Sequence, residues 1–384
     1  MSSGEVVNTG RGNDSITSTD VEYIGIRNSG EIDTGEGNDS ITGTGDFCGI
    51  INDGIIRTGE GSDSITGNGF FVGIVNFGAI NTGEGNDRIT GTGSFLGMWN
   101  FGTINTGEGS DNITGTSNEY STGLLDYGVV NHGIIITGEG NDTITGNAEL
   151  IYTFDRNPDK DSFGIINEGT SFEIIGITNV GIDTGEGNDS IAGNGDNGIG
   201  NAATIDTGEG NDSITGNGAC IGIWNGDIGS IKTGKGNDRI TGTGGISGIL
   251  NDGIINTGIG NDTVDALTGG FSGSGLTSLG EGKDTLIGFG TGRFDGGGGL
   301  KDKILLSDGI YTFTGSGRLG NEPSPDGYFK LTKTDPISNV AITMLVQNFE
   351  LIGSAADPDN AIQMNLGALY NIAGNNITVT PLLF

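Results

Sequence analysis

The residues best placed to do chemistry are aspartates that close a short glycine-rich phrase repeated through most of the chain. The phrase reads Thr-Gly-x-Gly-Asn/Ser-Asp-x-Ile, and its aspartates are Asp14, Asp39, Asp63, Asp87, Asp111, Asp142, Asp189, Asp212, Asp238 and Asp262, with Asp284 in a degenerate copy; a twelfth segment, Asp-Gly-Gly-Gly-Gly-Leu-Lys-Asp-Lys-Ile from Asp295, carries one extra residue. Ahead of them stand glycine pairs: Gly35 and Gly37, Gly59 and Gly61, Gly83 and Gly85, Gly107 and Gly109, Gly185 and Gly187, Gly208 and Gly210, Gly234 and Gly236, Gly258 and Gly260. A carboxylate behind two glycines offers oxygen chemistry, because a hard cation takes about 6 to 8 oxygen ligands and glycine lets backbone carbonyls converge. A single such phrase is an ordinary turn, since Asn and Asp readily bond their own backbone. Stacked in register, the phrases would bring carboxylates into columns, and a divalent ion removes that repulsion.

The elements that would position these loops follow from the spacing. Successive motif aspartates lie 22 to 26 residues apart, apart from steps of 31 and 47 that end at Asp142 and Asp189. The long steps contain a polar insert near residues 148–161, which is expected to loop out on one side of a stack. A second signal, Asn-x-Gly-x-Ile, recurs at Asn28, Asn52, Asn76 and Asn100 with a step of 24. Stacked asparagines can hydrogen-bond along a ladder, and the glycine two residues on suits a corner. Isoleucines flank each acidic loop nine residues apart, as Ile32 and Ile41 or Ile80 and Ile89 do, so both point inward. Glycine and asparagine every few residues exclude helices. The expectation is an all-β chain: a parallel β-helix or β-roll-like solenoid of about 24 residues per coil over residues 1–290, then a small β cap over 291–384.

The pattern x-Gly-x-Gly-x-Asp-x-U-x, with U a large apolar residue, resembles the hemolysin-type calcium-binding nonapeptide of the repeats-in-toxin (RTX) family, over roughly residues 9–305. The resemblance implies Ca²⁺ held between stacked loops by the aspartates named above and by carbonyls of the glycine turns. It implies about eight ions, up to about ten, because each site needs two neighbouring loops. Here only one loop occurs per coil, so ions would line a single edge. The family's first glycine is also Thr in ten of the eleven loops. Glu36, Glu60, Glu84, Glu108, Glu139, Glu186 and Glu209 are expected to face solvent, since Lys235 and Ile259 stand at the same place.

Composition sets the remaining expectations. Seventy-nine glycines and 33% hydrophobic residues in 384 exclude an ordinary globular core, and a formal net charge of −33 disfavours nucleic acid and anionic membranes. No apolar run approaches the roughly 20 residues that span a bilayer, and MSSGEVVN is no cleaved export signal. Cys48 and Cys220 suggest neither a disulfide framework nor zinc. From Thr334 to Phe384 there is no Lys or Arg, an acidic and apolar end resembling the signal read by type I secretion. An extracellular or cell-surface protein is therefore expected. No HExxH, GxSxG or Walker phrase occurs, His132 is the only histidine, and the first loop begins at Thr9. These features point to a non-catalytic protein. The rival reading is recognition of a glycan or cell surface, or of ice, by outward ranks such as Thr42/Thr44, Thr66/Asn68 and Thr90/Thr92.

Overall fold

The computed structural model describes residues 4–20, 22–118, 126–148, 163–167, 181–315, 327–334 and 340–382; the expected insert lies outside them except for Ala148. Among the described residues there is no helix, and the chain winds as a β-solenoid of about ten turns. One coil shows the plan. Strands Ser40–Gly45, Cys48–Asn52 and Ile55–Glu60 form three sides, and each pairs in parallel with its counterpart in the next coil. Ser40 lies opposite Ser64, Cys48 opposite Val72, and Ile55 opposite Ala79.

Alternation decides which residues enter. In Ser-Ile-Thr-Gly-Thr-Gly every second residue is buried, so Ile41 goes in while Thr42 and Thr44 stay at the surface. Ile41, Ile50 and Ile56, one from each side, are all fully buried and meet on the axis. Each buried isoleucine contributes about 1.5–3 kcal/mol, and its branched side chain suits the pleated strand. Where the first side folds back into the second, no side chain fits. A Cβ on Gly49 would clash with the backbone of Gly67 and Asn68.

The corner between the second and third sides carries the asparagine ladder. Asn28 Nδ2 donates to Asn52 Oδ1 at 2.9 Å, and Asn52 to Asn76, Asn76 to Asn100 and Asn100 to Asn131 follow at 2.8 Å. The ladder resumes from Asn201 through Asn225 to Asn251. Each amide also bonds backbone, as when Asn76 Nδ2 donates to the Thr103 carbonyl at 3.0 Å. Donors and acceptors are thus satisfied inside a corner from which water is excluded.

Parallel stacking continues beyond residue 290. Lys303–Leu306 pairs with Leu351–Ser354, and Arg293–Asp295 with the end of Ala341–Gln347. Around these, Gly309–Gly315, Phe329–Thr334, Ala341–Gln347, Ala368–Ala373 and Asn376–Pro381 make antiparallel pairs. Tyr311, Leu331, Met344 and Tyr370 are buried between this sheet and the last coils. The sheet covers backbone that would otherwise remain an open edge.

Asn76→Ala removes a ladder rung and leaves the Asn52 amide and the Thr103 carbonyl without their partner. Denaturant unfolding is expected to show a loss of about 3 kcal/mol. A loss within error would show that the ladder is ornamental.

Candidate metal centre

The acidic loops occupy the corner between the third side of one coil and the first side of the next. Gly35 and Gly37 take φ of +97° and +141°, and a Cβ on Gly35 would fall on the Gly10 carbonyl oxygen. Only glycine permits both the turn and the close stacking of loop on loop. Backbone bonds then tie the loops together: Glu60 N donates to the Gly35 carbonyl at 3.2 Å, and Gly37 N to the Glu60 carbonyl at 2.7 Å. The threonine that replaces the first glycine has a role of its own. It is fully buried, and its hydroxyl donates to the carbonyl of the next threonine, Thr34 to Thr58 at 3.2 Å and Thr58 to Thr82 at 3.1 Å.

The structure brings all eleven predicted aspartates into one file. Asp39 through Asp284 are at most 2% exposed, and Asp14 is half-buried at the N-terminal end. From Asp39 onward each Oδ1 accepts the main-chain N–H of the preceding aspartate at 2.7–2.9 Å. The long sequence steps do not interrupt the file, since Asp111 N reaches Asp142 and Asp142 N reaches Asp189. The degenerate twelfth copy, which begins at Asp295, adds a member that was not among the predicted ligands. Asp302, fully buried, accepts the Asp284 N–H at 2.7 Å; an extra residue in Gly-Gly-Gly-Gly-Leu-Lys-Asp left it uncounted among the ligands.

The second carboxylate oxygen is the anomaly. In all twelve aspartates Oδ2 is buried and accepts no hydrogen bond. Burial pushes Asp87, Asp212 and Asp238 up to about 6, and Asp189 and Asp284 up to about 7. Around Asp87 the Asp63 amide pulls the other way, while the Asp111 and Asp63 charges add to the rise. The glutamates do not face this file. They are exposed on the outer edge of the loops, with Arg11 paired to Glu36 at 3.0 Å and Lys235 to Glu209.

Two kinds of oxygen in these loops are left without a hydrogen bond. In the Gly35–Asp39 loop the carbonyls of Gly35 and Glu36 accept coil-to-coil bonds, whereas those of Gly37 and Asn38 accept none among the described residues. Together with Oδ2 they are the all-oxygen donor type that calcium prefers. Among the described residues no three His, Cys, Asp or Glu side chains converge as a metal cluster, so side chains alone would not complete a coordination shell. No family model, curated protein or solved structure matches this chain. His132, the sole histidine, stacks on Phe101 with centroids 5.2 Å apart, remote from the aspartates in its coil position.

The raised carboxyl groups have a consequence for stability. The folded state holds protons more tightly than an unfolded chain whose carboxyls titrate near 3.8. Their contribution is therefore fully present below pH 3.8 and is lost as pH rises through 6 to 7. Metal-free protein in chelator should melt at progressively lower temperature across that window. A melting temperature that rises over the same window would contradict the burial of ionisable oxygens.

Proposed function

We propose that this chain is a non-catalytic, calcium-loaded β-solenoid that works outside the cell as a structural or surface element. The observation that carries the reading is the file of buried Oδ2 atoms without a hydrogen-bond partner. Proposed ligands are the Oδ2 atoms of the twelve aspartates and the unused carbonyls of each glycine turn. Bound calcium would supply the positive charge that lets neighbouring carboxylates remain ionised side by side.

A comparison within the molecule supports a cation over protons. Within the same loops Asn13 and Asn38 accept a main-chain N–H of the next coil through Oδ1, at 2.8 Å each, and carry no charge. Asparagine could serve equally at the aspartate positions if stacking were the only need. Every rung there is instead aspartate, so the charge itself has a use. Calcium sites in extracellular modules bind at about 10⁻⁴–10⁻³ M, a range that suits folding after export and an unfolded chain before it. Enzymatic use of these carboxylates is disfavoured because they are sealed from any substrate.

A second reading, recognition of a glycan or cell surface, is favoured by the first side. Thr42, Thr66, Thr90 and Thr114 stand in register, as do Thr44, Asn68, Thr92 and Thr116. These ranks carry no carboxylate through Thr241 and Thr243, on a chain of net charge −33. Binding to a glycan array, compared with inhibition of ice recrystallisation, separates the possible surfaces.

The primary test is calcium titration of chelated protein at pH 8 by circular dichroism and calorimetry. Calcium is expected to induce β structure and raise the melting temperature, reversibly on chelation. Asp87→Asn should stabilise the chelated protein, by removing a buried charge, and destabilise the calcium-loaded one, by removing a ligand. A chelated protein already fully stable at pH 8 and indifferent to calcium would overturn the proposal.

A further inference from the structure

The file of carboxylates does not stop at Asp302. Lys303 pairs with Leu351 and Ile304 with Ile352, a register that sets Glu350 opposite Asp302. Along it, Asn348-Phe349-Glu350-Leu351-Ile352 takes the places that Gly37-Asn38-Asp39-Ser40-Ile41 occupy in a regular loop. Asn348 adopts a φ of +58° where the loop has Gly37 at +141°, and Ile352, like Ile41, is fully buried. Backbone bonds match as well. Leu351 N donates to the Asp302 carbonyl at 3.0 Å, as Ser64 N does to Asp39 at 2.9 Å.

The Glu350 side chain completes the parallel. Its Oε2 accepts the Asp302 N–H at 2.9 Å, the bond that every aspartate in the file gives its predecessor, and also the Lys301 N–H at 3.0 Å. Asp302 is fully buried, and its Oδ2 has no hydrogen-bond partner. A third carboxylate, Asp295, is held close by through Gln347 Nε2 at 2.6 Å and Asn348 Nδ2 at 2.7 Å, two residues of the same turn. Glu350 itself belongs to the C-terminal region, joining Ala341–Gln347 to Leu351–Ser354.

We propose that Glu350 is the terminal rung of the carboxylate file, and that Asp302 and Glu350 form a divalent-cation site whose occupancy fastens the C-terminal antiparallel sheet to the solenoid. The inference rests on the cation reading of the aspartate file. Its logic is that of charge: two acidic groups, one on the last coil and one on the cap, oppose docking when both are ionised, and a shared cation reverses the sign. Glu350 is half-buried, as Asp14 is at the other end, so this site lies where solvent reaches the file. Cap docking then depends on calcium at the Asp302 end, whatever the occupancy of the middle.

The test uses the full-length chain, with calcium stoichiometry from isothermal titration and hydrogen exchange over Phe329–Thr334 and Ala368–Ala373. Glu350→Gln keeps an oxygen for both amides and removes the charge. It is expected to bind one ion fewer than wild type and to lose the calcium-dependent protection of those two strands. Asp87→Asn, in the middle of the file, is expected to lose calcium while the cap stays protected. Asp302→Asn reads the same site from the solenoid side should Glu350→Gln fold poorly, and it should reproduce the loss. Full stoichiometry and full cap protection in Glu350→Gln or Asp302→Asn, with wild type binding its whole file, would overturn the terminal rung alone. Wild type binding no calcium would overturn the cation reading and this site with it.

Discussion

A parallel stack in register makes every side chain the neighbour of its own repeat, about 4.8 Å away along the axis. Whatever a position carries is therefore multiplied by the number of coils, for good or ill. Isoleucine beside isoleucine yields a continuous core from a chain too poor in apolar residues for a globular one. Amide beside amide gives the asparagine ladder, and hydroxyl beside carbonyl the threonine ladder. Carboxylate beside carboxylate is the one combination that the stack penalises. An unpaired buried ion costs several kcal/mol, so the eleven sealed from Asp39 to Asp302 exceed the 5–15 kcal/mol or so that separates a typical fold from its unfolded chain. The acidic corner is either neutralised or the solenoid does not form.

That constraint explains why each corner has the chemistry it has. The asparagine corner is self-sufficient, since an amide both donates and accepts. The glycine fold between the first two sides is closed by backbone alone, as Gly49 shows. The loop corner has acceptors in excess: Oδ1 is used by the next amide in the file, and Oδ2 is not. Stability in such a stack is close to a sum over coils and their interfaces, so a ligand shared between two loops strengthens an interface rather than a coil. Ends matter correspondingly, because an end coil has one interface, and the C-terminal sheet lies against such an end.

Much of this was legible in the sequence because the repeat is the structure. The step between aspartates fixed the coil length, the isoleucine pairs around each loop fixed the inward face, and Asn28 to Asn100 marked a real corner. The eleven aspartates were found from the repeated phrase and its spacing. A stack unbroken across the long steps was expected, and Asp111, Asp142 and Asp189 are nearest neighbours in space despite 31 and 47 residues of separation; what spacing could not reveal was the bond from each aspartate amide to the next Oδ1. Nor could it reveal the threonine hydroxyls as a ladder, because Thr at a glycine position reads as a departure from the motif until the Thr34 to Thr58 bond is seen. Asp302 lay in the twelfth copy, whose extra residue left it uncounted among the ligands, and Glu350 was hidden by a loop that keeps the geometry while changing nearly every side chain.

The account stands or falls on where cations sit in the folded protein. Crystals grown in calcium, and then in a lanthanide substitute, would be measured for anomalous scattering. The account predicts a single file of peaks inside the loop corner, alongside the Oδ2 atoms of the aspartates. Well-ordered loops with no peak along that file, or peaks confined to the outer glutamates Glu36, Glu60 and Glu84, would contradict it.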